Sequence, residues 1–205
     1  MICIVDYGMG NLLSVLHALE MAGAETRICQ QPDDLLKADR LVLPGVGAFG
    51  DCMRNLQETG LAEALHEAVI LKGRPTLGIC LGMQAMARRS FEMGEHIGLG
   101  WLNADVIRLE PEDPSLRIPH IGWNDIRFRE GSTFFRGIPT GADFYFVHSY
   151  WMKCNDERDV EATCDYGGAF TCAIRKNNIF ATQFHPEKSQ DYGLRILKNF
   201  LEWNP

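Results

Sequence analysis

Pro75-Thr76-Leu77-Gly78-Ile79-Cys80-Leu81-Gly82-Met83-Gln84 reads as a buried strand driven into a tight turn and out again as a helix, with a cysteine at the apex. Thr76 to Ile79 is a short apolar run of the kind a fully buried strand carries. Leu81, Met83, Gln84, Met86 and Ala87 suit a helix that leaves at once. Gly78-Ile79-Cys80-Leu81-Gly82 has the spacing of the G-x-S-x-G nucleophile elbow, with sulfur in place of oxygen. In such a turn the nucleophile's backbone is strained, and the flanking residues must be small so that strand and helix can approach. The helix points its free N–H groups and positive dipole end toward the sulfur, which favours the thiolate, the reactive form. The competing reading makes Cys80 a small core hydrophobe. A base and an oxyanion site elsewhere in the chain have to decide between them.

Upstream of the elbow, strands alternate with helices. Ile2 to Val5 reads as a first buried strand, and the loop Asp6-Tyr7-Gly8-Met9-Gly10-Asn11 leads into a helix with Leu12, Val15, Leu16 and Leu19 on one face, ended by Gly23. Glu25 to Cys29 is a second strand, Pro32-Asp33-Asp34 opens a short helix, and Arg40 to Leu43 is a third strand. Helical spacing follows over residues 51 to 59 and 61 to 72, stopped by Gly73-Arg74-Pro75. This alternation predicts an α/β fold with a mostly parallel, doubly wound sheet, helices on both faces and ligands at the carboxyl ends of the strands. Cys80 falls at such an end.

Beyond residue 90 the chain breaks into short segments rich in β-branched and aromatic residues. Strands are predicted at Ala104 to Leu109, Asp125 to Phe128, Phe144 to Tyr150, Ala169 to Arg175 and Asn178 to Phe184, as an antiparallel extension of the same domain. Tyr192 to Trp203 closes the chain as an amphipathic helix. Residues 1–205 are expected to form a single domain, with no repeat or linker.

The formal charge of −7 and the lack of any Lys/Arg cluster argue against nucleic acid or an anionic membrane as partner. Met1-Ile2-Cys3-Ile4-Val5 lacks the basic n-region of a signal peptide, and no apolar run reaches membrane-spanning length, so a cytoplasmic location is expected. Seven cysteines without C-x-x-C spacing are then expected to be reduced thiols, with neither a disulfide framework nor a zinc site.

Gln183-Phe184-His185-Pro186-Glu187 also follows an apolar strand. If the chain stays extended through Pro186, His185 and Glu187 project to the same side. A histidine with a carboxylate two residues on is a base with its orienter, because the carboxylate fixes one ring nitrogen and leaves the other for a nucleophile. The alternative is a surface histidine near a surface glutamate. The loop Pro44-Gly45-Val46-Gly47-Ala48-Phe49-Gly50 leaves three readings open. Gly45, Gly47 and Gly50 spell G-x-G-x-x-G, a dinucleotide fingerprint, although the acidic residue required about twenty positions later would fall in a helix. The same glycines could turn backbone amides toward an oxyanion. A plain structural turn is the third reading.

Six ordered blocks resemble the triad (class I) glutamine amidotransferases, and among them the HisH-type glutaminase subunits of imidazole glycerol phosphate synthase. They are Asp6 to Asn11, Pro44 to Gly50, Gly78 to Gln84, Pro119-His120-Ile121-Gly122-Trp123-Asn124, Tyr145-Phe146-Val147-His148-Ser149-Tyr150 and Gln183 to Ser189, spread over nearly the whole chain. The resemblance implies Cys80 as nucleophile, His185 as acid/base and Glu187 as orienter. It implies an oxyanion hole from the Val46-Gly47 backbone and the Leu81 amide, and glutamine held among Gly47, Gln84, His148 and Ser149. No cofactor or metal is expected. The expected partner is a HisF-like (β/α)8 barrel serving as the cyclase, bound as a heterodimer, with Asn11 and Trp123 at the interface. For Trp123 the alternative is a core tryptophan. Gly100-Trp101-Leu102-Asn103-Ala104-Asp105 and Gln84-Ala85-Met86-Ala87-Arg88-Arg89 depart from the family pattern. That leaves room for a related synthase, such as one that aminates a nucleotide-activated sugar. A stand-alone cysteine hydrolase and a nucleotide-binding module are the other readings.

Overall fold

The computed structural model describes residues 1–205. Its first half alternates as the apolar periodicity predicts: β1 (Ile2–Val5), α1 (Leu12–Met21), β2 (Thr26–Cys29), α2 (Pro32–Lys37), β3 (Arg40–Leu43), α3 (Phe49–Glu58), α4 (Leu61–His66), β4 (Thr76–Ile79) and α5 (Leu81–Ala85), the last shorter than predicted, since Ala87 already belongs to a strand. The helix predicted over 61 to 72 changes its winding midway, ending in a π-helical turn at Glu67–Leu71. The second half holds β5 (Ala87–Ser90), β6 (His96–Ile97), β7 (Leu102–Arg108), β8 (His120–Phe128), β9 (Asp143–His148), β10 (Tyr150–Cys154), β11 (Val160–Asp165), β12 (Ala169–Lys176), β13 (Ile179–Thr182) and α6 (Gln190–Glu202).

The main sheet has nine strands in the order β2-β1-β3-β4-β13-β12-β11-β8-β9. Pairing is parallel from β2 through β13 and antiparallel beyond, so the fold class and the antiparallel extension are as expected. A second sheet of four strands, β10-β7-β5-β6, is not among the predicted features. The segment predicted as one strand from Phe144 to Tyr150 is two, in different sheets, because the chain turns at Ser149. The Leu109 amide donates to the Ser149 carbonyl there at 2.8 Å.

Strand alternation sorts the core onto the two faces of the main sheet. Ile2, Ile4, Val42, Leu77 and Ile79 pack with Val15 and Leu19 of α1 and with Ile196, Leu197 and Phe200 of α6. Cys3, Val5, Leu41 and Leu43 pack on the other side against α3, α4 and the small sheet, through Phe49, Leu56, Leu65, Ala104 and Val106. The expectation of seven free thiols is corrected at one pair. Cys3 on β1 and Cys29 on β2 are disulfide-bonded, their Cα atoms 5.9 Å apart, because parallel pairing brings these strands side by side. Cys52, Cys80, Cys154, Cys164 and Cys172 are free.

Candidate active site

The last rungs of two neighbouring strands build the site. β4 and β13 run parallel, Ile79 opposite Thr182, so the residues that follow each strand emerge side by side at the carboxyl edge of the sheet. Cys80 follows β4 with φ 53 and ψ −111, a conformation an L-residue adopts only under constraint, and α5 starts at the next residue. The constraint comes from close packing. A Cβ on Gly82 would collide with the Leu43 carbonyl oxygen, and one on Gly78 would lie 2.8 Å from Met86 Cε and 2.9 Å from Ala181 Cβ. Small residues are therefore required at both flanks of the elbow.

His185 and Glu187 come from the loop after β13. Pro186–Lys188 is a 3-10 turn, so the extended path assumed from the sequence is corrected, and the turn itself folds the carboxylate back onto the ring. His185 Nδ1 donates to Glu187 Oε1 at 2.7 Å, and both side chains are only 2% exposed. Three ties to the backbone hold the loop. The His185 amide donates to the Tyr145 carbonyl at 2.9 Å, the Tyr145 amide to Ser189 Oγ at 3.0 Å, and Ser189 Oγ–H to the His185 carbonyl at 2.6 Å. His185 Nε2 has no hydrogen-bond partner within the chain and is left for the sulfur side of the ring. Burial pulls the His185 pKa down, but the neighbouring Cys80 sulfur and the hydrogen-bonded Glu187 carboxylate outweigh it and raise the value to about 9. The ring is thus held as imidazolium at neutral pH.

Cys80 and His185 open into one cavity of about 420 Å³, which Val46, Gly47, Leu81, Gln84, His148 and Ser149 also line. The structure therefore gathers the expected nucleophile, base, oxyanion and substrate residues around one space, with Glu187 behind the base. Gly47 has φ 104, open to glycine and strained for other residues, and neither Val46 nor Gly47 donates its amide to another backbone group. The loop from Gly45 lies against the elbow, since a Cβ on Gly45 would meet Tyr7 Oη, Leu81 and Gly82. His148 is neutral, its pKa lowered to about 3 chiefly by burial. Its Nδ1–H donates to the Tyr150 carbonyl at 2.9 Å.

Sequence reading gives no role to Glu92, Tyr150 or Lys188, which line the same cavity. Glu92 also accepts from the Phe49 amide at the start of α3 at 2.6 Å, which fixes its carboxylate at the cavity wall. Nothing in its local sequence marks it, because it arrives from the β5–β6 connection. Asn11 and Trp123 lie outside this cavity. Both are exposed, Trp123 by 47% next to Ile121 at 59%, so Trp123 is not a core residue. No group of three or more His, Cys, Asp or Glu side chains converges in metal-binding geometry.

A cysteine on a strained elbow, an imidazolium held by a carboxylate and unengaged amides at the cavity edge can perform acyl transfer from an amide through a thioester. Residues 3–203 match the family model described as glutamine amidotransferase class-I, and the chain belongs to that family. It is 49% identical over 201 residues to imidazole glycerol phosphate synthase subunit HisH 1 of Campylobacter jejuni (strain RM1221), covering 98% of this chain and 99% of that one. To the HisH subunit of Agrobacterium fabrum it is 48% identical over 214 residues, covering 100% and 99%. Among solved structures, PurLQS from Thermotoga maritima superposes with a TM-score of 0.75 at 19% identity, over 98% of this chain and 97% of that one. The glutaminase domain of Trypanosoma brucei CTPS gives 0.65 at 16%, over 100% and 94%. At these identities the two structures speak to the fold alone.

Proposed function

We propose that this chain is the glutaminase subunit of an imidazole glycerol phosphate synthase, hydrolysing glutamine to glutamate and supplying the ammonia to a cyclase subunit in histidine biosynthesis. The observation that carries the chemistry is the His185 ring, tied to Glu187 on one nitrogen and free on the other, above the same cavity as Cys80. The pathway rests on the full-length identity of 48–49% to curated HisH subunits.

In this reading the Cys80 sulfur attacks the side-chain amide carbon of glutamine, and the carbonyl π pair moves onto oxygen. The Val46, Gly47 and Leu81 amides hold that oxyanion. His185 Nε2–H protonates the departing nitrogen, the C–N bond breaks, and ammonia leaves a γ-glutamyl thioester on Cys80. Water, giving a proton to the now neutral imidazole, attacks the thioester, and the C–S bond breaks to release glutamate and restore the thiolate–imidazolium pair. Gln84, His148 and Ser149 surround the substrate. Glu92 puts a carboxylate at the cavity wall, where it can meet the α-ammonium group.

Free ammonia in water at neutral pH becomes ammonium, which is not a nucleophile, so it must pass under cover to a second active site. We assign that site to a (β/α)8-barrel cyclase bound as a heterodimer over the exposed Trp123 and Asn11 region, in the cytoplasm. Glutamate release by the chain, assayed alone and with the cyclase and its phosphoribosyl substrate, tests this function. Activity that rises at least tenfold in the complex is expected, about 1.4 kcal/mol of differential interaction for each tenfold. Full activity in the lone chain, unchanged by the cyclase, favours a stand-alone hydrolase instead.

A further inference from the structure

A run of hydrogen bonds reaches the sulfur from behind the cavity, and a single group that can only accept fixes its direction. The Tyr150 carbonyl accepts from Gln84 Nε2 at 2.9 Å and from His148 Nδ1 at 2.9 Å. The end of Gln84 that faces this oxygen must be its NH2, and the same NH2 gives a second proton to Gln183 Oε1 at 2.9 Å. Gln183 is thereby turned. With its oxygen toward Gln84, its own NH2 faces Cys80 Sγ at 3.6 Å. On the far side, His148 Nδ1–H donates to the carbonyl, so Nε2 is the acceptor for His120 Nδ1–H at 3.1 Å. His120 is pinned between Tyr166 and Phe146, ring centroids 4.0 and 4.9 Å away, so this end of the chain cannot easily reverse.

Gln183 itself has no freedom to turn elsewhere. It is fully buried, directly after β13, and its amide donates to the Cys172 carbonyl at 2.8 Å. A buried side chain of this size that filled space alone would be served as well by leucine or methionine, without the cost of sequestering an amide. Its outward N–H has the sulfur as its partner, and such a contact is weak to a thiol but charge-assisted to a thiolate. The bond therefore strengthens as the sulfur ionises.

We infer that Gln183 is a positioning residue for the nucleophile, its side-chain N–H holding the Cys80 sulfur toward the cavity and stabilising its anionic form. The donor acts twice in the cycle, before attack on the amide and again when the thioester breaks and sulfur regains its charge. The kinetic arm of the test rests on the glutaminase reading, whereas the alkylation arm needs only the thiol.

The discriminating variant is Gln183→Glu, which keeps an oxygen for Gln84 Nε2 but sets an acceptor where the sulfur had a donor. Iodoacetamide alkylation of Cys80 is followed against pH by mass spectrometry of its peptide in the full chain, with the melting transition recorded beside it. The midpoint is expected to move up by at least about one pH unit, so that alkylation near neutrality slows about tenfold. In glutamine hydrolysis kcat should fall about tenfold or more while KM changes less. Gln183→Met, which brings no charge, is expected to shift the midpoint in the same direction and serves if Gln183→Glu does not fold. Alkylation profiles that superpose on the wild type's in a folded variant overturn the inference. A shifted profile in the variant, where even the wild-type chain in complex with the cyclase hydrolyses no glutamine, upholds Gln183 and overturns the glutaminase reading instead.

Discussion

The Cys80 amide donates to the Thr182 carbonyl at 2.7 Å, continuing the β4–β13 ladder one step past the end of β4. That single bond sets Cys80, the proposed nucleophile, against the strand from which His185, the proposed base, departs three residues later. The geometry of the site is thus inherited from strand register and needs no long loop to bring its parts together.

Glu187→Gln keeps the shape of the side chain and removes the charge of one of the two groups that raise the His185 pKa, the other being the Cys80 sulfur. A loss of roughly 10²-fold or more in kcat is expected, since a correctly poised acid/base supplies 10² to 10⁴. Steady-state glutamate release measures it, and an unchanged kcat dissolves the triad even if Cys80 keeps its role.

The same pair makes a pH prediction. His185 has its folded-state pKa raised from 6.5 to about 9, so the folded state binds the proton more tightly than the unfolded state. The stabilisation is complete below about pH 6.5 and is lost as pH rises through about 9. Denaturant unfolding from pH 6 to 10 should show stability falling across this window in the wild type and a shallower fall in Glu187→Gln. Parallel curves for the two proteins contradict the assignment.

Gly82→Ala drives a methyl into the Leu43 carbonyl, a backbone group that cannot swing aside. Overpacking of this kind costs about 1–3 kcal/mol, which for a chain of this size lowers Tm by several degrees. A thermal melt decides it. An unaltered Tm shows that the elbow tolerates side chains and that Cys80 is not held by close packing.

Much of this candidate site could be read from the sequence because its proposed chemistry is carried by short local patterns. The strand before Cys80, the glycines at both flanks and the His185-Pro186-Glu187 step each declare themselves within a few residues. What stayed hidden depends on distant pairing. β11 escaped because Glu161 interrupts its apolar pattern, and only the fold reveals that this carboxylate is buried at 2% exposure, with Ser132 donating to it and Arg175 Nε 3.6 Å away. β8 starts five residues earlier than predicted because His120-Ile121-Gly122-Trp123-Asn124 carries a glycine at φ 137 and exposed apolar side chains, yet pairs fully with β9. Glu92 and Tyr150 reach the cavity from the small sheet, of which β7 is legible as a strand but the pairing with β5, β6 and β10 is not.

Trp123→Ala should weaken binding of the cyclase by about 30-fold or more, the loss of a central aromatic anchor being worth about 2 kcal/mol or above. Because the side chain is 47% exposed, Tm of the isolated chain should hardly move. Titration calorimetry with the cyclase provides the affinity. Wild-type affinity in this variant removes Trp123 from the interface.

The most direct measurement is paired, on one Cys80→Ala complex with the cyclase. Glutamate release from glutamine and cyclisation supported by added ammonium salt are followed in the same preparation. Glutamine hydrolysis is expected to fall by about 10⁴-fold or more, while ammonia-supported turnover stays at the wild-type rate. Glutamate release at the wild-type rate without the Cys80 sulfur contradicts the assigned chemistry outright.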